Sequence, residues 1–209
     1  MIIKSFELDK LKSFKSNLHL IYGNNEGIKE DIIESIYLSD FNGNILKYDE
    51  SEVLNNKDGF ISSLLTKSLF ESKKLIIISR ATEKIFSLLN DILDRELIDT
   101  KIIIKSSNLE KKSKLRSLFE KGSQLICTAV YEDDSRSLNF IINNFLKNNK
   151  LSLSQEIKNI LIERSKGDRI YLKNELEKLR NLHISKNKVS IEDVLKLTNL
   201  AENYSVFEL

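Results

Sequence analysis

The eight residues that follow the first apolar run, Gly23-Asn24-Asn25-Glu26-Gly27-Ile28-Lys29-Glu30, invite comparison with the phosphate-binding pattern G-x-x-x-x-G-K-[ST]. In that pattern glycine-rich backbone N–H groups cradle the phosphates, the lysine reaches them, and a hydroxyl holds magnesium. Aligning Gly23 with the first glycine puts Ile28 at the second glycine, Lys29 at the lysine and Glu30 at the hydroxyl, so two of four landmarks match. The mismatches are chemically severe. Ile28 brings a β-branched side chain where backbone must approach phosphate closely, and Glu30 sets a negative charge beside the phosphates. Gly27 loosens the turn but lies out of register. The acidic residue that helps hold the metal at a neighbouring strand end is missing too. Run 75–78 ends in Ser79-Arg80-Ala81 and run 101–104 in Lys105-Ser106-Ser107, while Glu83 lies too far into the next helix. The segment reads as a turn that keeps an NTPase shape without its chemistry, and no cofactor or metal is expected.

Other chemistries have less to work with. The two histidines, His19 and His183, leave little scope for an acid–base site, and His19 lies in a strand-like run where a satisfied core histidine is expected. Cys127, between Ile126 and Thr128, reads as a small buried residue and not a reactive thiol. Glu132-Asp133-Asp134 closes a strand run where α/β sites often lie, yet a solvated inter-domain loop is the better expectation. No catalytic residue is assigned.

These residues sit in a chain of 209 with 41% hydrophobic and 31% charged residues, enough for one large domain or two modest ones. Thirty-three Lys+Arg against 31 Asp+Glu give a net charge of +2, which excludes a polybasic arm and permits only a local basic patch. One cysteine excludes an internal disulfide and, with two histidines, a Cys/His zinc cluster. Apolar runs such as Leu75–Ile78 are too short to cross a bilayer, and the N-terminus lacks a signal-peptide layout; a soluble cytoplasmic protein is the expectation. The absence of Pro and Trp and the abundance of Ile, Lys and Asn fit an A/T-rich coding bias, which weakens arguments from lysine clusters.

The elements that must position the loop are legible. Strands are expected at Leu18–Tyr22, Asn44–Tyr48, Lys74–Ile78, Lys101–Ile104 and Leu125–Ala129. Between them lie helical stripes: Ile28, Ile32, Ile33 and Ile36; Ile61, Leu64, Leu65 and Leu69; Ile85, Leu88, Leu89, Ile92 and Leu93; Leu115, Leu118 and Phe119. Continuous β-branched runs imply strands covered on both sides, hence a parallel sheet in an α/β sandwich over residues 1–134. Residues 135–200 show only helical stripes: Leu138, Ile141, Ile142, Phe145 and Leu146; Leu153, Ile157, Ile160 and Leu161; Leu172, Leu176 and Leu179; and a fourth beginning at Val194, Leu195 and Leu197. Ser152 with Gln155, and Ser190 with Asp193, are placed as N-terminal caps, and Gly167 as a left-handed helix end. A small all-helical domain follows the sandwich.

With those segments in hand, the chain resembles the delta subunits of the bacterial DNA polymerase III clamp loader, members of the AAA+ superfamily. The resemblance rests on Leu20-Ile21-Tyr22-Gly23, on Ser68–Leu75 and Asn108–Leu115, on Gly167-Asp168 ahead of Asn174–Leu179, and on Asn203–Leu209. It implies an AAA+ P-loop NTPase-like sandwich and a helical lid, without ATP hydrolysis, that binds and opens the ring-shaped sliding clamp during replication. In such a complex neighbouring motor subunits bind ATP, and gamma/tau and delta-prime assemble with delta through a helical collar domain, with primed DNA in the complex. Residues 201–209 look like the link to that collar, which the sequence does not include.

The resemblance also maps the apolar clamp-opening pair onto Leu69 and Phe70. Periodicity alone would make Leu69 ordinary core, whereas Phe70, flanked by Ser68, Glu71 and Ser72, is poorly explained by burial. Burying both in a clamp pocket would contribute roughly 3–6 kcal/mol, the scale of an interface hot spot. Two rival readings come from the same residues: an active P-loop enzyme that uses Lys29 on phosphate, and a DNA-binding AAA+ module with Lys111, Lys112, Lys114 and Arg116 on the DNA.

Overall fold

The computed structural model describes residues 2–4, 16–65, 73–95, 97–186 and 190–196. The chain divides into two compact units, Met1–Tyr131 and Glu132–Leu209.

The first unit holds, among the described residues, a six-stranded sheet: β1 (Ile2–Lys4), β2 (Leu18–Tyr22), β3 (Asn44–Asp49), β4 (Lys74–Ala81), β5 (Thr100–Ser106) and β6 (Leu125–Ala129). Their spatial order is β1-β6-β2-β5-β4-β3 and every pairing is parallel. Parallel neighbours need a crossover, and helices supply it: α1 (Glu26–Ile32), continued by a π-helical stretch Ile33–Leu38, then α2 (Glu50–Asn55), α3 (Lys57–Leu65), α4 (Phe86–Leu93) and α5 (Lys114–Lys121).

Period-two alternation along the strands feeds two cores. Leu20, Ile76, Ile78, Ile102 and Ile104 pack with α2 to α5 on one face, and Ile21, Ile77, Ile103 and Ile126 pack with Ile28, Ile32 and Ile33 on the other. That double burial is why these strands read as unbroken apolar runs. β4 and β5 are longer than expected, because their last residues leave the apolar run while keeping sheet hydrogen bonds. Between Ile78 and Ala81 the β4–β5 register shifts, and Arg80 takes φ +55° at that irregularity, paired with Asp49.

Of the stripe expected over Ile61, Leu64, Leu65 and Leu69, the described residues are only partly core, and Leu69 lies outside them. Phe60 and Leu64 are buried, but Leu65 is exposed, since α3 turns it away from the sheet.

The second unit packs α6 (Ser135–Asn149), α7 (Gln155–Ser165), α8 (Arg169–Lys186) and a helical turn over 191–196 around Leu138, Ile142, Leu161, Leu172, Leu176 and Val194. Its caps refine the sequence reading. Ser154, not Ser152, caps α7 by accepting from the Ile157 N–H, whereas Ser190 and Asp193 form the expected reciprocal box. Lys166 already adopts φ +46° as the α7 cap, and Gly167 follows at φ +83°, so the left-handed end spans two residues. Leu195 is about one-third exposed (36%) beside the buried Val194, and Leu197 lies outside the described residues. The acidic triplet is not simply a solvated loop: Asp133 is bidentate to Arg169, and Asp134 caps α6 through the Ser137 N–H at 2.8 Å.

Candidate functional site

The turn after β2 is held from below by its glycine. Gly23 has φ +133°, and a Cβ there would lie 2.0 Å from the Val130 carbonyl oxygen, so only glycine fits. Its N–H points at the Ser106 and Ser107 carbonyls at the end of β5, 3.2 Å from each. Asn25 then caps α1, accepting from the Ile28 N–H at 3.0 Å while its Nδ2 donates to the Tyr131 carbonyl.

The consequence is a short turn. In G-x-x-x-x-G-K-[ST] the helix opens around the lysine, after an arch of free backbone. Here it opens at Glu26, so Gly27 and Ile28, which would belong to the arch, are helical and buried. Asn25 ahead of an acidic first turn was the sequence signal for this early start.

Lys29 is occupied by the protein itself. Only 1% exposed, it donates to Glu26 Oε1 at 2.6 Å and to the Ser106 carbonyl at 2.7 Å. Lys105 pairs with Glu30 and lies 3.4 Å from Glu26 Oε2. Burial pushes the Glu26 carboxyl upward, but hydrogen bonds and charge from Lys29 and Lys105 outweigh it and hold the group below the usual carboxylate range. Two lysines and two glutamates thus balance each other where a nucleotide's phosphates would place negative charge. Lys105 and Ser106 entered the sequence reading only as a strand end without a carboxylate; their cationic and carbonyl roles were missed.

The remaining candidates fall into place separately. Glu83 belongs to a 3-10 turn, Glu83–Ile85, and is no metal ligand in reserve: its carboxylate accepts from the Ser113 hydroxyl and from the Lys114 and Leu115 N–H groups, capping α5. Among the described residues no group of three His, Cys, Asp or Glu is placed to hold a metal, and no helix is long and apolar enough to cross a membrane. His19 is buried, with Nδ1 2.5 Å from the Tyr37 hydroxyl and Nε2 2.8 Å from Thr128 Oγ1, and burial lowers its pKa to about 3. Burial likewise pushes the Cys127 thiol up to about 12, so it is inert at neutral pH.

Leu69 and Phe70 lie outside the described residues. The basic cluster is not one continuous helix face: Lys111 and Lys112 lie in the turn before α5, Ser113 is its N-cap, and Lys114 is its first residue. Arg116 is turned inward, bonded to Glu120 at 2.7 Å and to the Leu109 carbonyl, with its guanidinium over the Tyr22 ring. Arg116 is thus engaged within the protein, while Lys111, Lys112 and Lys114 stand exposed.

No family model and no curated protein matches the sequence. Among solved structures the chain is similar to the Bacillus subtilis DNA clamp loader delta protein YqeN, with 15% identity, 92% of this chain and 62% of that one covered, and a TM-score of 0.57. It is similar to domain III of the Thermotoga maritima replication initiation protein DnaA, with 14% identity, 92% and 88% covered, and a TM-score of 0.53. The Thermotoga maritima Holliday junction branch migration motor RuvB matches with 16% identity over 94% of this chain and 66% of that one, at a TM-score of 0.58. Likeness at such identities is one of fold: a parallel α/β sheet flanked by helices and followed by a helical region. The chain spans 62% of the clamp loader delta protein's length.

Proposed function

We propose that this chain is a non-hydrolysing clamp-loader subunit of the delta type, which binds the ring-shaped sliding clamp and favours its open form during loading onto primed DNA. The observation that carries the reading is Lys29: buried, paired with Glu26 and bonded to the Ser106 carbonyl, in a turn whose helix has already begun at Glu26. A motor must keep that lysine available for phosphate; a subunit that relies on neighbours for ATP need not. The fold is shared with a protein named a motor as well as with one named a clamp loader delta protein, so the closed turn, more than the fold, favours the second. Gamma/tau and delta-prime are the expected neighbours.

Clamp contact is assigned to Leu69 and Phe70. Differential affinity of this pair for a distorted clamp edge would favour opening. The test is a pull-down of the sliding clamp from the same organism by the 209-residue chain and by a Leu69→Ala, Phe70→Ala variant. The expected result is clamp capture by the wild-type chain and a loss of at least about a hundredfold in the variant, with circular dichroism and melting nearly unchanged. No capture by the wild-type chain would overturn the clamp-binding reading. Normal capture by the double variant would place the contact elsewhere, and an unfolded variant would make the pair core.

A further inference from the structure

Away from the β2 turn, two adjoining clefts of about 670 and 490 Å³ share Phe86, Lys112 and Lys114 and form one groove beside α4 and α5. Leu109 and Leu118 give it, with Phe86, an apolar floor. Four lysines stand around that floor: Lys84 lines the larger cleft, Lys121 the smaller, and Lys112 and Lys114 both, all exposed. Two acidic residues line the groove, and both are engaged. Glu83 is bound to the α5 N-terminus, and Glu110 pairs with Lys112 at 2.9 Å. The groove therefore combines an apolar slot with a rim on which lysines outnumber carboxylates, Lys84, Lys114 and Lys121 standing beside the Lys112–Glu110 pair, although the whole chain has a net charge of only +2.

We infer that this groove docks an acidic amphipathic helix of a partner protein. A helix laid along α4 and α5 can place leucine-like anchors at i, i+3, i+4 and i+7 on Phe86 and Leu118 while its glutamates meet the lysines. The floor favours this occupant over a nucleic acid strand. Phe86 sits half-buried beside an aliphatic leucine, which makes a slot for branched side chains and not an open stacking platform. Arg116, the one guanidinium of the basic cluster, is withdrawn onto Glu120 and Tyr22. The inference goes beyond the clamp-binding reading and is tested apart from it, since neither its probes nor its variants involve Leu69 or Phe70.

The test titrates the full chain into a fluorescein-labelled 16-residue peptide whose leucines fall at i, i+3, i+4 and i+7 and whose other positions are mostly glutamate, with a labelled 20-residue oligothymidylate as the second arm. Expected are peptide binding that weakens with salt, a loss of about tenfold in a Lys112→Glu, Lys114→Glu variant, and a similar loss in a Lys84→Glu, Lys121→Glu variant on the opposite parts of the rim. All four side chains are exposed, so melting should stay at the wild-type value, and the two variants check each other. Amides of α4 and α5 should gain protection from hydrogen exchange when peptide is present. Peptide binding unchanged in both variants, no peptide binding at all, or tighter binding of the oligothymidylate than of the peptide would each overturn the inference.

Discussion

A lysine with 1% of its surface exposed must keep its charge compensated, and Lys29 does so through one carboxylate and one carbonyl. Lys29→Ala would strip both bonds and leave the Ser106 carbonyl facing a void. Because Glu26 is half-exposed and can rehydrate, the cost is that of charge-assisted hydrogen bonds, about 2 kcal/mol, and not that of a fully buried pair. Urea unfolding should show this loss, while magnesium–ATP titrations of wild type and variant should both be flat. A variant that stays fully stable and loses a measurable ATP affinity would make Lys29 a phosphate ligand after all. The sequence showed half of this. Ile28 and Glu30 reveal that phosphate chemistry is lost, because side-chain type alone decides that. The new partners of Lys29 depend on how β5 ends beside the turn, a long-range pairing that local pattern does not encode.

The helices illustrate the same division between local and distant information. α5 begins where Glu83, thirty residues upstream in the crossover from β4, reaches its free N–H groups at 3.1 and 3.2 Å, with the Ser113 side chain accepting from the Arg116 N–H at 3.0 Å. Ser113 was within local reach as a cap; Glu83 was not, because its partners lie thirty residues further along the chain. Glu83→Ala should cost about 1–2 kcal/mol and should raise hydrogen exchange at Lys114 and Leu115 before the rest of the sheet unit responds. Unchanged exchange there would show that Ser113 suffices. Parallel strands were legible because burial on both faces writes itself as β-branched runs. The π-helical stretch Ile33–Leu38 was not, since the same isoleucine spacing serves an α-helix, and what it brings is Tyr37 within reach of His19.

At the scale of the molecule, that contact ties three distant segments, with His19 on β2, Tyr37 beyond α1 and Thr128 on β6. All three lie in the first unit, and the second unit has a core of its own, so a change at His19 should be read on the sheet. Burial lowers the folded pKa of His19 to about 3, below the 6.5 of an exposed histidine. The unfolded chain therefore binds the proton first as pH falls, and stability that is fully present above about pH 6.5 is lost progressively toward pH 3. Between pH 8 and pH 5 the loss from this group comes to about 2 kcal/mol. His19→Gln keeps a polar side chain but removes the titration, so its stability should fall less over the same interval, even if it begins lower. Hydrogen exchange of the β2 and β5 amides at the two pH values measures the difference in the sheet itself. Equal slopes for wild type and variant would mean that His19 is reached by protons in the folded state. A sheet that excludes protons from His19 is packed as tightly as one that leaves Lys29 no outside ligand, and the two measurements test the same closed face-to-edge packing from its centre and from its rim.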